Sequence, residues 1–272
     1  MRKLLFMTVP VILSTTVQAQ SYKSSYTFQK NVYTVAALQV PFEEDAVTDA
    51  VIDYMQAQGF KDAHYKDFIV FRSVPLDNSR SVVTDAYFNI NRKSRSEKDM
   101  TIISLLPVKK GETLSPSSVE DSSLISISLV YLDSLKNRVY RFSLAKLIEG
   151  QQKTLDKTKA KILNLKNDSG DIAKKIRGYE SDLAENKNDQ AKQTVVINNT
   201  ASGDQDGLSK AHKKMDKLLN NQTDYEKKLR NYKADLEDNA REREAQQGIL
   251  EKVTQALNAL KQRQQNLDSA MH

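Results

Sequence analysis

Leu208-Ser-Lys-Ala211-His-Lys-Lys-Met215-Asp-Lys-Leu218-Leu-Asn-Asn-Gln222-Thr-Asp-Tyr225-Glu-Lys-Lys-Leu229 is the stretch that decides the fold. Its apolar residues recur at alternating spacings of three and four, the period that lays one stripe along a helix. The same frame continues through Tyr232, Leu236, Asn239, Arg243, Gln246, Leu250, Val253, Leu257, Leu260, Gln264, Leu267 and Met271, so 14 of 19 seam positions are apolar in a chain that is 39% hydrophobic. Three or four heptads suffice to read a coiled coil, and this run is far longer.

A matching frame precedes it. Leu144, Ile148, Gln151, Leu155, Thr158, Ile162, Leu165, Ser169, Ile172, Ile176, Tyr179, Leu183, Asn186, Gln190, Gln193 and Ile197 share one register, with 10 of 16 apolar. Between the frames, residues 198–207 are polar and contain Gly203 and Gly207. Two helices of similar length joined by a short polar loop predict an antiparallel hairpin, helices 143–197 and 208–271. Folding there brings Leu155 near Leu250, Ile148 near Leu257 and Tyr179 near Tyr225. The first helix would span roughly 80 Å at ~1.5 Å per residue. The seam is most polar where Asn239, Arg243 and Gln246 face Thr158 to Leu165, with Gly170 and Gly178 close by. Bending or local opening is expected there, or a polar register lock. The hairpin tip, Asn198, Asn199, Thr200, Asp204 and Asp206, is the first place to seek a partner.

Ahead of the hairpin, residues 32–142 read as a small α+β domain. Val32 to Val40 is a β-branched strand ended by Pro41. Glu43, Glu44 and Asp45 then open a helix, where carboxylates offset the dipole. Val47, Ala50, Val51, Tyr54 and Met55 form its apolar face, and Gly59 with Phe60 its left-handed end. Strands are expected at 66–74, 81–91 and 99–106. Ser117 and Glu120 have capping-box spacing, which predicts a helix over 118–136. The alternation of Ile125, Ile127, Leu129 and Tyr131 offers a strand instead. The order β-α-β-β-β-α predicts an antiparallel sheet with helices on one face. The loop with Arg92, Lys93, Arg95 and Lys98 is a solvated hairpin tip or an anion-contact site for lipid headgroups or acidic glycan.

The first 19 residues have the three parts of a signal peptide: Arg2 and Lys3, an apolar run from Leu4 to Leu13, and Val17-Gln18-Ala19 before the cut. That run is too short to span a bilayer, and no later stretch approaches a span. Export is therefore expected, to the periplasm first, with the outer-membrane surface or the medium as alternatives. Residues 20–31 read as a flexible mature N-terminus. The chain has no cysteine, which removes disulfides, thiolate zinc sites and a lipid-anchored lipoprotein. The formal charge of +6 loses Arg2 and Lys3 on processing, leaving 15 charges of each sign in residues 20–142 and 24 basic against 20 acidic in 143–272. Signs interleaved along a helical rod describe a solvated coiled coil rather than a stripe for nucleic acid.

His64, His212 and His272 share no metal-ligand spacing, and no phosphate loop or nucleophile elbow is present in the sequence. No enzyme activity, cofactor or metal is expected. Two triplets, Asp133-Ser134-Leu135 and Asp268-Ser269-Ala270, look like the acceptor motif of one bacterial O-glycosylation system.

Val40-Pro-Phe-Glu-Glu-Asp-Ala-Val47, Tyr65-Lys-Asp-Phe-Ile-Val-Phe-Arg72, Asp85-Ala-Tyr-Phe-Asn-Ile-Asn-Arg-Lys93 and Lys98-Asp-Met-Thr-Ile102, with the coiled coil entered near Gln151, resemble a group of uncharacterised exported bacterial proteins. These place a small sheet-and-helix domain ahead of a Lys- and Gln-rich coiled coil. The resemblance covers residues 35–200, implies fold and export, and assigns no functional residue. The leading expectation is a non-catalytic envelope protein whose coiled coil is a spacer or protein-docking arm. The alternative is a periplasmic holdase-type chaperone with helical arms. A protein partner is expected, and the seam also admits pairing between two chains.

Overall fold

The computed structural model describes residues 20–77, 79–112, 114, 122–200 and 204–270. The expected signal peptide and the Ser117–Glu120 capping box lie outside these residues. The described residues fall into two compact units, those of Met1–Gln151 with Ala256–His272, and Gln152–Gln255.

The first unit is built on a six-stranded sheet of order β1-β2-β6-β5-β4-β3, with every neighbouring pair antiparallel. Its strands are β1 (Tyr22–Phe28), β2 (Asn31–Val40), β3 (Asp62–Tyr65), β4 (Phe68–Pro75), β5 (Val83–Arg92) and β6 (Thr101–Lys109). Two of these correct the sequence reading. Residues 22–28, expected to be flexible, form edge strand β1, paired with β2 through a two-residue turn at Gln29 and Lys30. Both turn residues have positive φ, 50° and 69°, the combination a tight hairpin needs and one that Asn-Gly usually signals. Strand β3 is a four-residue edge beyond β4.

Helix α1 (Glu44–Ala57) lies between β2 and β3 and buries Val47, Ala50, Val51 and Met55. Its end is a two-bond left-handed cap: Phe60 N–H donates to the Met55 carbonyl at 3.1 Å and Gly59 N–H to that of Gln56 at 2.9 Å. Gly59 takes φ +87°, which an L side chain rarely adopts.

One sheet face packs on the helices. Leu38, Phe71, Phe88, Ile103 and Leu105 meet α1 and the next helix, α2 (Ser122–Asn199), through its Leu132, Leu135, Val139 and Leu144. A leucine buried this fully stabilises by about 2 kcal/mol. The other face carries Phe28, Tyr33, Phe68, Val70, Tyr87 and Leu106, joined by Ile125 from the first turns of α2. The sheet curls enough for Phe28 of β1 to meet Tyr65 at the opposite edge, ring centroids 6.2 Å apart. Ser21 ties the start of β1 to α2, its N–H donating to Asp133 Oδ1 at 3.0 Å and its hydroxyl to the Leu129 carbonyl at 2.9 Å.

The sequence reading separated a helix at 118–136 from one beginning at 143. They are one helix of 78 residues, α2. Lys136 to Phe142 contains neither Gly nor Pro, so nothing there ends it. The strand alternative for 125–131 falls with this. Ser143, Leu144 and Leu147 belong to the first unit, so the boundary is at 151/152 rather than 142/143. The end of the third helix, α3 (Gln205–Ser269), returns to this unit. Its Leu260 and Leu267 pack on the sheet core, Arg263 lies over the Phe42 ring at 5.6 Å, and Asp268 pairs with Arg141 at 2.8 Å.

The second unit is the antiparallel hairpin of α2 and α3. Tyr179 meets Tyr225 at 6.2 Å, the pairing expected from folding the two frames, and stacks on Tyr232 at 5.7 Å. Lys161 pairs with Glu242 at 2.8 Å and Lys233 with Glu180 at 3.3 Å. Partners that rise along one helix fall along the other, which defines the antiparallel register.

Candidate functional site

Three places carry chemistry. The first is the loop between β5 and β6, where the sequence marks Arg92, Lys93, Arg95 and Lys98. The loop closes on itself through Lys93 N–H to the Met100 carbonyl at 2.8 Å. Lys93 pairs with Glu97 at 3.0 Å, Ser94 donates to the same carboxylate at 3.1 Å, and Arg92 reaches Glu44 at 3.5 Å. The Lys93 ammonium and Ser94 hydroxyl hold the Glu97 carboxyl below its ordinary range. Two of the four cations are therefore answered by acids. Arg95 and Lys98 are exposed, with no acid partner among the described residues. The four do not converge on one anion.

The second place escaped the sequence reading. It lies on the sheet face away from α1. Asp85 of β5 is 6% exposed and accepts from Arg72 Nη1 at 2.5 Å and from the Ser73 N–H at 3.0 Å. Arg72 also donates to the Tyr87 hydroxyl at 3.3 Å and lies over its ring at 5.7 Å. Ser73 sits at a register shift between β4 and β5 with φ +55°, a strained value for serine. That bulge turns the Ser73 amide toward Asp85. A few residues away, Lys66 (φ +53°) lies over Phe28 and Tyr65 at 5.4 and 5.7 Å. The buried carboxylate is neutralised by an arginine, so it serves to hold that guanidinium in place. Strand alternation alone puts 72, 85 and 87 on one face. The bulge that joins them has no sequence signature.

The third place is the hairpin. Its distal turns are fixed by hydrogen bonds that cross the seam. Gln193 Nε2 donates to the Ala211 carbonyl at 3.0 Å, and Gln190 Nε2 to Gln222 Oε1 at 2.8 Å and Asn186 Oδ1 at 2.6 Å. Further down, the Ser169 hydroxyl donates to Asn239 Oδ1 at 2.7 Å. The opening expected around Thr158–Leu165 is absent: Thr158 and Leu165 are buried, the Lys161–Glu242 link crosses within the polar stretch, and Ser169–Asn239 closes one end of it. Buried Asn and Gln of this kind specify one pairing at some cost in stability. The electrostatics agree with the register. Residues 152–177 hold 8 basic and 3 acidic side chains and face 234–255, with 3 basic and 6 acidic. Beyond that the signs reverse, 2 basic and 4 acidic in 178–199 against 8 and 4 in 205–233.

At the tip, Asn198 and Asn199 end α2 and are exposed, and Thr200 returns its hydroxyl to the Val196 carbonyl at 2.8 Å. Asp204 caps α3, its carboxylate accepting from Gly207 N–H at 2.9 Å. Asp206 lies in the first turn, where a negative charge offsets the dipole. The two aspartates therefore have structural work, and α3 starts at 205 rather than 208. Residues 201–203 lie outside the described ones.

Among the described residues no three His, Asp or Glu are placed to hold a metal, and no helix is long and apolar enough to cross a membrane. His64 lies 3.9 Å from Asp62, and His272 is outside the described residues. The two Asp-Ser triplets lie in helices, with Ser134 and Ser269 donating to the Val130 and Gln265 carbonyls at 3.1 and 2.9 Å. No protein-family model matches the chain, and no curated protein matches it.

Proposed function

We propose that the protein is a non-catalytic, exported cell-envelope protein, placed in the periplasm, whose helical hairpin is a protein-docking or spacer arm. The observation that carries this reading is the way the hairpin is closed. Seam-crossing hydrogen bonds at Ser169–Asn239, Gln190–Gln222 and Gln193–Ala211 fix one register along its length. Fixing that register with polar seam residues costs stability that apolar residues would have supplied, and an arm that must present defined positions to a partner has a use for it. Export rests on the pattern of residues 1–19.

The test is excision of residues 152–255, with Gln151 joined to Ala256 by a Gly/Ser linker, in the cell that makes the protein. The reading expects loss of cross-linked partners while the first unit keeps a cooperative thermal transition. Unchanged partners and phenotype would end it.

The second reading, a holdase-type chaperone, draws on Leu163, Val195 and Leu219, which are exposed on the hairpin. Suppression of aggregation of an unfolded outer-membrane protein at a near-stoichiometric ratio would favour it. No effect at large excess would remove it.

A further inference from the structure

Positions beside the seam fall on two flanks. Lys161 and Glu242, which pair, each precede a seam residue, Ile162 and Arg243. Glu180 and Lys233, which also pair, each follow one, Tyr179 and Tyr232. The first kind therefore meets along one flank and the second along the other. Near the tip the first flank receives Val196, which precedes Ile197, and Lys214, which precedes Met215.

Lys214 belongs to a stripe. Lys210, Lys213, Lys214 and Lys217 stand at i, i+3, i+4 and i+7, one side of α3. All four are exposed, and none has an acid partner among the described residues. Elsewhere in the hairpin many lysines are engaged. Lys161 and Lys233 cross to acids, Lys174 and Lys192 bond Asp171 and Asp189 at 3.1 and 3.4 Å, and Lys175 and Lys228 lie over Tyr232 and Tyr179. Of the acids near the stripe, Asp204 caps α3, Asp206 lies in its first turn and Asp189 of α2 bonds Lys192 at 3.4 Å, while the exposed Asp216 stands between Lys213 and Lys217 and offsets one of the four charges. On α2, Val195 and Val196 are 56% and 50% exposed. β-Branched residues are poor helix formers, and these two gain little from packing to compensate.

We infer that this distal face, Lys210, Lys213, Lys214 and Lys217 with Val195 and Val196, docks on an anionic lipid surface. The inference rests on the arm reading and names what the arm rests against. Exposed apolar side chains beside unpaired lysines are the combination that seats a helix at a charged bilayer surface, charge attracting and apolar groups entering the headgroup boundary. The stripe contains no arginine, so it lacks the planar fork that grips a single phosphate or carboxylate. Flexible point charges suit a diffuse layer of headgroups. An acidic polymer in water would satisfy the lysines and leave the valines without a role.

The experiment is co-sedimentation of the processed full chain with phosphatidylcholine vesicles, with and without phosphatidylglycerol. Binding is expected only to the anionic vesicles and is expected to fall with salt. Each lysine neutralised should weaken partitioning about fivefold, so Lys210→Gln, Lys213→Gln, Lys214→Gln and Lys217→Gln together should lose several hundred-fold. Val195→Ser with Val196→Ser should weaken binding while keeping its salt dependence. Lys157→Gln with Lys159→Gln, near the base of the hairpin unit, should leave it unchanged. Far-UV circular dichroism shows each variant still helical. The inference is overturned by absence of binding at low salt, by equal binding of the fourfold variant, or by binding to polyglutamate in preference to vesicles. Retained arm-dependent cross-links in cells without vesicle binding would sink this inference alone, and loss of both would sink the arm reading with it.

Discussion

Three glycines should be weak points that alanine repairs. Gly170, Gly178 and Gly248 are exposed within α2 and α3, and a Cβ added at any of them meets nothing within 4 Å. None has a positive φ, so alanine fits their backbone without strain. Glycine costs up to ~1 kcal/mol relative to alanine in a helix interior, partly through the freedom it gives the unfolded chain. Gly170 and Gly178 are eight residues apart, or roughly 12 Å along the helix, far enough to act independently. The triple substitution should therefore stabilise the hairpin by about 2–3 kcal/mol. Urea unfolding followed by helical ellipticity should show a higher midpoint with an unchanged slope. Gly207→Ala is the internal contrast, because its Cβ would overlap the Asp204 carboxylate that caps α3. The lost cap, worth about 1 kcal/mol, should cancel the ~1 kcal/mol gained by removing a helical glycine, so no net stabilisation is expected. A neutral or destabilising triple variant, or a stabilising Gly207→Ala, would refute the reasoning.

Other outcomes follow from single contacts. The chain has no native cysteine, so Ser169→Cys with Asn239→Cys should give an intrachain disulfide on oxidation, read as monomer on a non-reducing gel. A covalent dimer would mean the helices pair between chains. Asp204→Ala should cost about 1 kcal/mol in hairpin stability, seen as a lower urea midpoint and faster amide exchange at 205–208. The Glu97 carboxyl is held low by Lys93 and Ser94, so its support of the 93–100 turn is complete above the ordinary carboxylate range and lost as pH falls through the lowered value. Amide exchange of that turn should therefore rise only in more strongly acid solution, and Glu97→Gln should remove this dependence.

The hairpin was legible because its period repeats for so many heptads that local exceptions do not hide it. Even the Tyr179–Tyr225 pairing follows from folding the two frames. Strands β2, β4, β5 and β6 were legible as β-branched runs bounded by turn residues. Strand β1 was not: Tyr22-Lys-Ser-Ser-Tyr-Thr-Phe28 is a polar edge, and its turn uses Gln29 and Lys30 where Asn-Gly would have announced it. The fusion of two expected helices into α2 was missed because a capping box and a later heptad frame each suggested a start, while no breaker between them marked a stop. For the sites, a charge run identified the 92–98 loop, but its pairing with Glu44 is a tertiary contact invisible to local reading. The Arg72–Asp85 pair depends on a bulge at Ser73, and the lysine stripe at 210–217 emerged only once the flanks of the hairpin were known.

The most direct test is site-specific photo-cross-linking in the cell that makes the protein. The photoreactive residue is placed at Leu163, Val196 or Leu219 on the arm, and at Val32 on the sheet unit, all exposed. The account predicts defined adducts, to protein or lipid, from the arm positions and none from Val32. Adducts from Val32 alone would contradict it and move the working surface to the sheet.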